Sequence, residues 1–137
     1  MRTYDVCAAP MKGPTAFWPV RLAATLMRSP GLVATQMLTF LFTDIEGSTA
    51  MAGRLGDAYA EVLADHHRLT RAGLAAHGGE EVGTRGDGFA AVFASPRACV
   101  AAAIGVQRAL VSRAWPGGER VRVRMGVHSG QAAVSAA

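Results

Sequence analysis

The sequence predicts an α+β domain whose elements run strand, helix, strand, strand, helix, strand. Three observations carry that prediction. A short β-favouring run, Leu38–Thr43, opens the pattern; two later stretches repeat apolar residues at helical spacing; and Val121–His128 alternates apolar and charged residues. At 137 residues the chain fits one domain. It is 50% hydrophobic and 18% charged, the composition of a chain that buries a core rather than one that stays disordered.

The first strand is Leu38-Thr39-Phe40-Leu41-Phe42-Thr43, apolar and β-branched, long enough for one buried strand and ended by Asp44. Gly47-Ser48-Thr49 then offers a turn and a helix N-cap. Leu55, Tyr59, Val62, His66, Leu69 and Gly73 recur at helical spacing as far as Ala76, and His77-Gly78-Gly79 stops the helix. Glu80–Thr84 and Phe89–Ala94 flank the turn Arg85-Gly86-Asp87-Gly88, a hairpin signal. Ser95-Pro96 is an N-cap followed by proline at the first helical position, and the second helix runs through Val100, Ala103, Ile104, Gln107 and Leu110. In the last strand Val121, Val123, Met125 and Val127 share one face, and Arg120, Arg122, Arg124 and His128 the other. This βαββαβ order is the ferredoxin-like, palm-type arrangement: an antiparallel sheet with two helices on one face.

Residues 1–36 are expected to stand apart as a poorly ordered segment. Pro10, Pro14, Pro19 and Pro30 interrupt them, and only Val20–Met27 could make two turns of helix. Arg21 inside that apolar stretch argues against a signal peptide. Two other readings stay open: Met37 as the true first residue, and a membrane or partner anchor. The net charge of +4 is concentrated here, with Arg2, Lys12, Arg21 and Arg28 set against Asp5 alone. The remainder is close to neutral, which argues against a nucleic-acid footprint. No apolar run of 18 or more residues exists, so no ordinary membrane-spanning helix is expected. Cys7 and Cys99 are too few for a disulfide scaffold or zinc site. The expectation is a cytoplasmic domain that takes no nucleic acid and no membrane as partner.

The predicted topology has a chemical consequence. In such a sheet the first strand lies between the third and fourth and runs antiparallel to the third. Asp44 ends the first strand, and Asp87 sits in the turn leading into the third, so the two carboxylates meet at one sheet edge. Taken singly, each has a plain structural reading, Asp44 as a helix cap and Asp87 as a turn residue. Taken together, paired carboxylates call for a cation, and Mg²⁺ or Mn²⁺ completed by substrate phosphates is the usual answer. Glu46, Gly47, Ser48 and Thr49 lie beside Asp44 at a helix start, where unpaired N–H groups favour phosphate. Metal carboxylates next to a phosphate cradle point to phosphoryl or nucleotidyl transfer.

Four motifs in order carry a resemblance. Phe40-Leu41-Phe42-Thr43-Asp44-Ile45-Glu46-Gly47-Ser48-Thr49 resembles the first-strand motif of class III adenylate/guanylate cyclases. His77-Gly78-Gly79 and Gly86-Asp87-Gly88-Phe89 are similar to that family's central hairpin, and Val123-Arg124-Met125-Gly126-Val127-His128-Ser129-Gly130 to its fourth strand. The resemblance implies conversion of ATP or GTP to a 3′,5′-cyclic nucleotide with release of pyrophosphate. It implies two metal ions on Asp44, Asp87 and the carbonyl of Ile45, phosphates cradled by Glu46–Thr49, and a head-to-tail homodimer, or a heterodimer with another cyclase domain.

It also implies residues that this chain does not have. The family's purine-selecting lysine falls two or three residues before the Gly-Asp turn, where Gly83 and Thr84 stand, and no lysine follows Lys12. The base-contacting aspartate and the Asn/Arg pair of the transition state follow the fourth strand in the family, and Val134-Ser135-Ala136-Ala137 does not resemble that continuation. The expected organisation is therefore an N-terminal segment (1–36), a partial cyclase domain (37–131) and a short tail (132–137), weak or inactive by itself. The alternatives are a cyclase-like module that binds metal-nucleotide or pairs with a complete cyclase, and a remnant without function.

Other readings fare less well. RNA-recognition modules share the βαββαβ order, and Phe89 and Phe93 partly mimic their aromatic motif, but paired acids at the sheet edge would repel phosphate without a metal. The hairpin resembles that of diguanylate cyclases yet lacks their glutamate. His66, His67 and His77 read as core or surface histidines, Cys99 as a buried thiol. The arginine face of 120–124 reads as a solvated edge strand, or as one that a partner covers.

Overall fold

The structure, a computed structural model, describes residues 3–5 and 33–135. The expected two-turn helix at Val20–Met27 lies outside them, as does most of the N-terminal segment. The chain divides into two compact units, one of residues 39–129 and one whose described residues are 3–5, 33–38 and 130–135.

The larger unit holds the site. Its strands come from β2 (Val33–Ile45), β3 (Glu80–Arg85), β4 (Gly88–Phe93) and β5 (Val123–Ser135), with β2 between β5 and β4 and β3 outside β4. That is the ferredoxin-like order. β2 runs antiparallel to β4 from Thr39 opposite Phe93 to Thr43 opposite Phe89. β4 is buried along its whole length, as a central strand of six apolar or small residues should be. Phe89 and Phe93 lie in the core, 0% and 1% exposed, and so cannot stack on bases as an RNA platform requires.

Two helices, α2 (Tyr59–Ala76) and α3 (Pro96–Ser112), complete the layer. Against them pack Leu41, Phe89, Ala91 and Phe93 in one cluster, with Ile45, Val62, Val106, Leu110 and Trp115 in a second. The Ser95 hydroxyl caps α3 by accepting the Ala98 N–H at 3.4 Å, with Pro96 at the first helical position.

Several expectations need correction. The first helix is not continuous: α1 (Ser48–Leu55) ends at Gly56, whose φ of 54° no helix accommodates, and a single 3₁₀ turn leads into α2. α3 buries Cys99, Ala102, Val106 and Leu110, while Val100 and Ile104 stay about half exposed. A helix apolar nearly all round offers two stripes at the same spacing, and periodicity cannot choose between them. The last strand continues to Ser135, through residues expected to form a tail.

The smaller unit is described by its backbone. In it β1 (Thr3–Asp5) pairs antiparallel with the end of β5, Thr3 opposite Ser135 and Asp5 opposite Ala133. This strand was not foreseen, because three residues carry no periodicity. β2 also begins earlier than the expected Leu38, and the exposed run Thr35–Met37 gives no burial pattern to mark it.

Candidate functional site

The C-terminal end of β2 and the tip of the β3–β4 hairpin form the site. Arg85 pairs with Gly88, leaving Gly86 and Asp87 as a two-residue turn. Gly86 has φ 59° and Asp87 has a negative φ, so the positive angle falls on the residue without a Cβ. The turn places Asp87 against β2: its Oδ2 accepts a hydrogen bond from the Ile45 N–H at 2.9 Å. Asp87 is thus tied to the residue that follows Asp44, which brings the hairpin turn to the end of β2.

Asp44 has a partner the sequence reading missed. Its Oδ2 accepts from Arg124 on β5, and the pair is exposed, with 42% of the Asp44 side chain accessible. Just before β5 begins, Arg122 lies 3.3 Å from the Glu46 carboxylate. Arg122 and Arg124 are therefore counter-charges to the acids beside them. Alternation placed the two on one face, and only the position of β5 beside β2 shows what they meet.

The turn after Asp44 leads into α1 through Gly47, not through a serine or threonine cap. Gly47 is the N-cap of α1 in the left-handed region, φ 68°, with no side-chain cap. Met51 N–H bonds back to the Gly47 carbonyl, so the N–H groups of Ser48, Thr49 and Ala50 have no partner within the helix. No acidic residue occupies the first turn. Glu46 takes no such role: its N–H donates to the Arg122 carbonyl at 2.8 Å and its carboxylate faces the Arg122 guanidinium. The free donors begin after it.

A cleft of about 290 Å³ opens between the α1 start and the hairpin, lined in part by Ser48, Thr49, Tyr59, Gly86 and Asp87. Tyr59 is a second residue the sequence reading did not place here. Burial, then the charges of Asp87 and Asp44, push its phenol above the ordinary range, while a hydrogen bond with Ser48 opposes them, so Tyr59 stays protonated. A larger groove of about 380 Å³, lined by Val100, Ile104, Met125 and Val127, offers no carboxylate.

Among the described residues no three His, Cys, Asp or Glu side chains gather to cage a metal ion. Two carboxylates beside a row of free N–H groups nonetheless suit Mg²⁺ or Mn²⁺. Such ions commonly take one or two protein carboxylates and complete their octahedron with phosphate and water. The donor set fits.

Comparison with known proteins agrees. The profile of the adenylate and guanylate cyclase catalytic domain matches residues 33–136. A receptor-type adenylate cyclase of Trypanosoma congolense is 41% identical over 81 residues, 59% of this chain and 11% of the relative. An adenylate cyclase structure from Trypanosoma brucei, described as monomeric, superposes with a TM-score of 0.67 at 26% identity, over 69% of this chain and 56% of that one. The guanylate cyclase domain of Catenaria anguillulae, solved with GTP, shares the fold with a TM-score of 0.65 at 21% identity, covering 72% and 59%. The chain thus spans about a tenth of the receptor-type relative and a little over half of these solved domains.

Proposed function

Since the chain belongs to the adenylate and guanylate cyclase catalytic-domain family, we propose that it carries the metal- and phosphate-binding half of a class III nucleotidyl cyclase site. The observation that carries this reading is the Asp87–Ile45 hydrogen bond, which brings the hairpin carboxylate to the strand end that bears Asp44. The reaction is that of the family: the 3′-hydroxyl of ATP or GTP loses its proton to solvent, its oxygen bonds to the α-phosphorus, the bridge to the β-phosphate breaks, and pyrophosphate leaves. Bound Mg²⁺ or Mn²⁺, two ions by likeness to the family, would activate the 3′-hydroxyl and offset charge on the triphosphate.

This chain's residues have distinct parts. Asp44, Asp87 and the Ile45 carbonyl hold the metal. The N–H groups of Ser48 and Thr49, after Gly47, take phosphate oxygens, and the start of the helix dipole adds to their pull. Arg124 neutralises Asp44, the charge that a metal on this carboxylate would otherwise offset. An exposed pair of this kind contributes only about 0–1 kcal/mol, so it would compete only weakly with a divalent ion for Asp44. Glu46 remains paired with Arg122 and keeps its negative charge away from the phosphates.

Residues 1–137 supply no lysine after Lys12 and no match to the family's transition-state pair. Each lost donor to developing charge costs about 10²–10³ in rate. These residues alone are therefore weak or silent as a catalyst; in a heterodimer in the cytoplasm a complete second cyclase domain would supply the missing groups, which a second copy of residues 1–137 could not. The absence of the purine-selecting lysine favours one other reading, a module that binds metal-nucleotide without turning it over.

Calorimetric titration of Mn²⁺ with a non-hydrolysable ATP or GTP analogue tests the assignment. Binding heat should vanish in Asp44→Asn and Asp87→Asn. Equal binding by both variants and the unaltered chain would remove the two aspartates from the site.

A further inference from the structure

We propose that His67 is a positioning residue for Asp87, a latch from α2 that holds the hairpin turn where its carboxylate can serve; the proposal rests on the reading of Asp87 as a metal ligand. β3 is exposed at both ends, and its ladder with β4 is regular only for the three pairs nearest the turn, from Gly83 opposite Ala90 to Arg85 opposite Gly88, before the register slips between Glu81 and Gly83. A further restraint on the turn comes from the helix.

His67 Nε2 lies 2.8 Å from the carbonyl oxygen of Gly86, the residue before Asp87. A carbonyl can only accept, so Nε2 carries the hydrogen in this contact, in the neutral and the protonated ring alike. The latch therefore holds in either charge state. The His67 ring also meets Phe89, two residues beyond Asp87, edge-on at 5.2 Å. One helical turn further along α2, Arg71 grips Glu81 of β3 through two bonds of 2.8 and 3.1 Å and stands 5.3 Å above the Phe89 ring. The helix thus holds the hairpin at its turn and again along its strand.

Asp87 then has two anchors: its backbone through Gly86 and His67, and its carboxylate through the Ile45 N–H. Freeing the first lets the turn move, and a carboxylate that moves loses the Ile45 bond and with it its place at the end of β2. Partners behind a metal ligand commonly matter by about 10- to 100-fold in metal affinity.

The test uses the full chain and two readouts, amide hydrogen exchange at Ile45 and binding of Mn²⁺ alone, followed by its electron paramagnetic resonance signal. His67→Ala should speed Ile45 exchange about tenfold and weaken Mn²⁺ binding by about tenfold or more, with exchange at the buried Leu41 unchanged. His67→Gln, whose amide nitrogen can reach the same carbonyl, should bring both within about twofold of the original. The latch is overturned if Ile45 exchange does not change in His67→Ala, if Leu41 accelerates equally, or if glutamine fails to restore the effect. A chain that binds no Mn²⁺ but loses Ile45 protection in His67→Ala would keep the latch and overturn the metal reading. Mn²⁺ binding that weakens in Asp87→Ala but not in His67→Ala would do the reverse.

Discussion

His66 is wholly buried on α2, its ring edge-on to Phe89 at 5.7 Å, and neither ring nitrogen has a hydrogen-bond partner. Burial, reinforced by the charge of His67 and opposed by Asp44, lowers its pKa to about 4 from 6.5. The folded value lies below the unfolded one, so on acidification the unfolded chain takes up the proton first. Stability is complete above about pH 6.5 and declines as pH falls towards 4, by a total on the order of 3 kcal/mol. Urea unfolding at several pH values should show that decline, and His66→Leu should remove most of it; an unchanged slope would assign the loss to other groups. At Arg124 the expectation is different in kind. Arg124→Ala should alter stability by less than about 1 kcal/mol, because the pair with Asp44 is exposed, yet strengthen binding of Mn²⁺ alone by up to about fivefold. Weaker binding would mean that Arg124 orders Asp44 rather than competing for it. The sequence showed two adjacent histidines and could not say which went where. Neighbours on a helix point about 100° apart, so one enters the core and the other reaches the hairpin.

Among the elements, glycine separates tolerated from forbidden change. A Cβ on Gly73 of α2 would lie 2.4 Å from Val106 Cγ2 on α3, whereas Gly53 of α1 has open space around it. Alanine improves helix propensity at either site by up to about 1 kcal/mol. Overpacking between two helices costs about 1–3 kcal/mol and should win at Gly73. Thermal melts should therefore place Gly73→Ala below the original chain and Gly53→Ala level with it or above; a stabilised Gly73→Ala would show that α2 and α3 can move apart cheaply. The elements themselves were legible where one face was buried: Leu38–Thr43, the Glu80–Ala94 hairpin, the Ser95-Pro96 start of α3. The break at Gly56 was not, because apolar spacing runs straight across it. The ends of β2 and β5 were also hidden, since exposed or alanine-rich strand has no alternation to read.

At the scale of the molecule, topology did more than any single motif. The predicted strand order alone brought Asp44 and Asp87 together across 42 intervening residues, and their juxtaposition then made sense of the phosphate turn. The roles of Arg124 and Tyr59 stayed hidden because they depend on inter-strand register and on the path of α2 after the Gly56 break. On the proposed function, Asp44, Asp87 and the turn after Gly47 would supply the metal and phosphate groups of a cyclase site, and residues 1–137 hold no match to the family's base-recognition and transition-state groups. The most direct test is cyclic nucleotide production with Mn²⁺ and ATP or GTP, by the chain alone and mixed with an intact class III cyclase whose own aspartate pair has been mutated. The account predicts little or no product from the chain alone and product from the mixture, abolished by Asp44→Ala or Asp87→Ala. No product from the mixture, with the chain folded and paired to its partner, would contradict it.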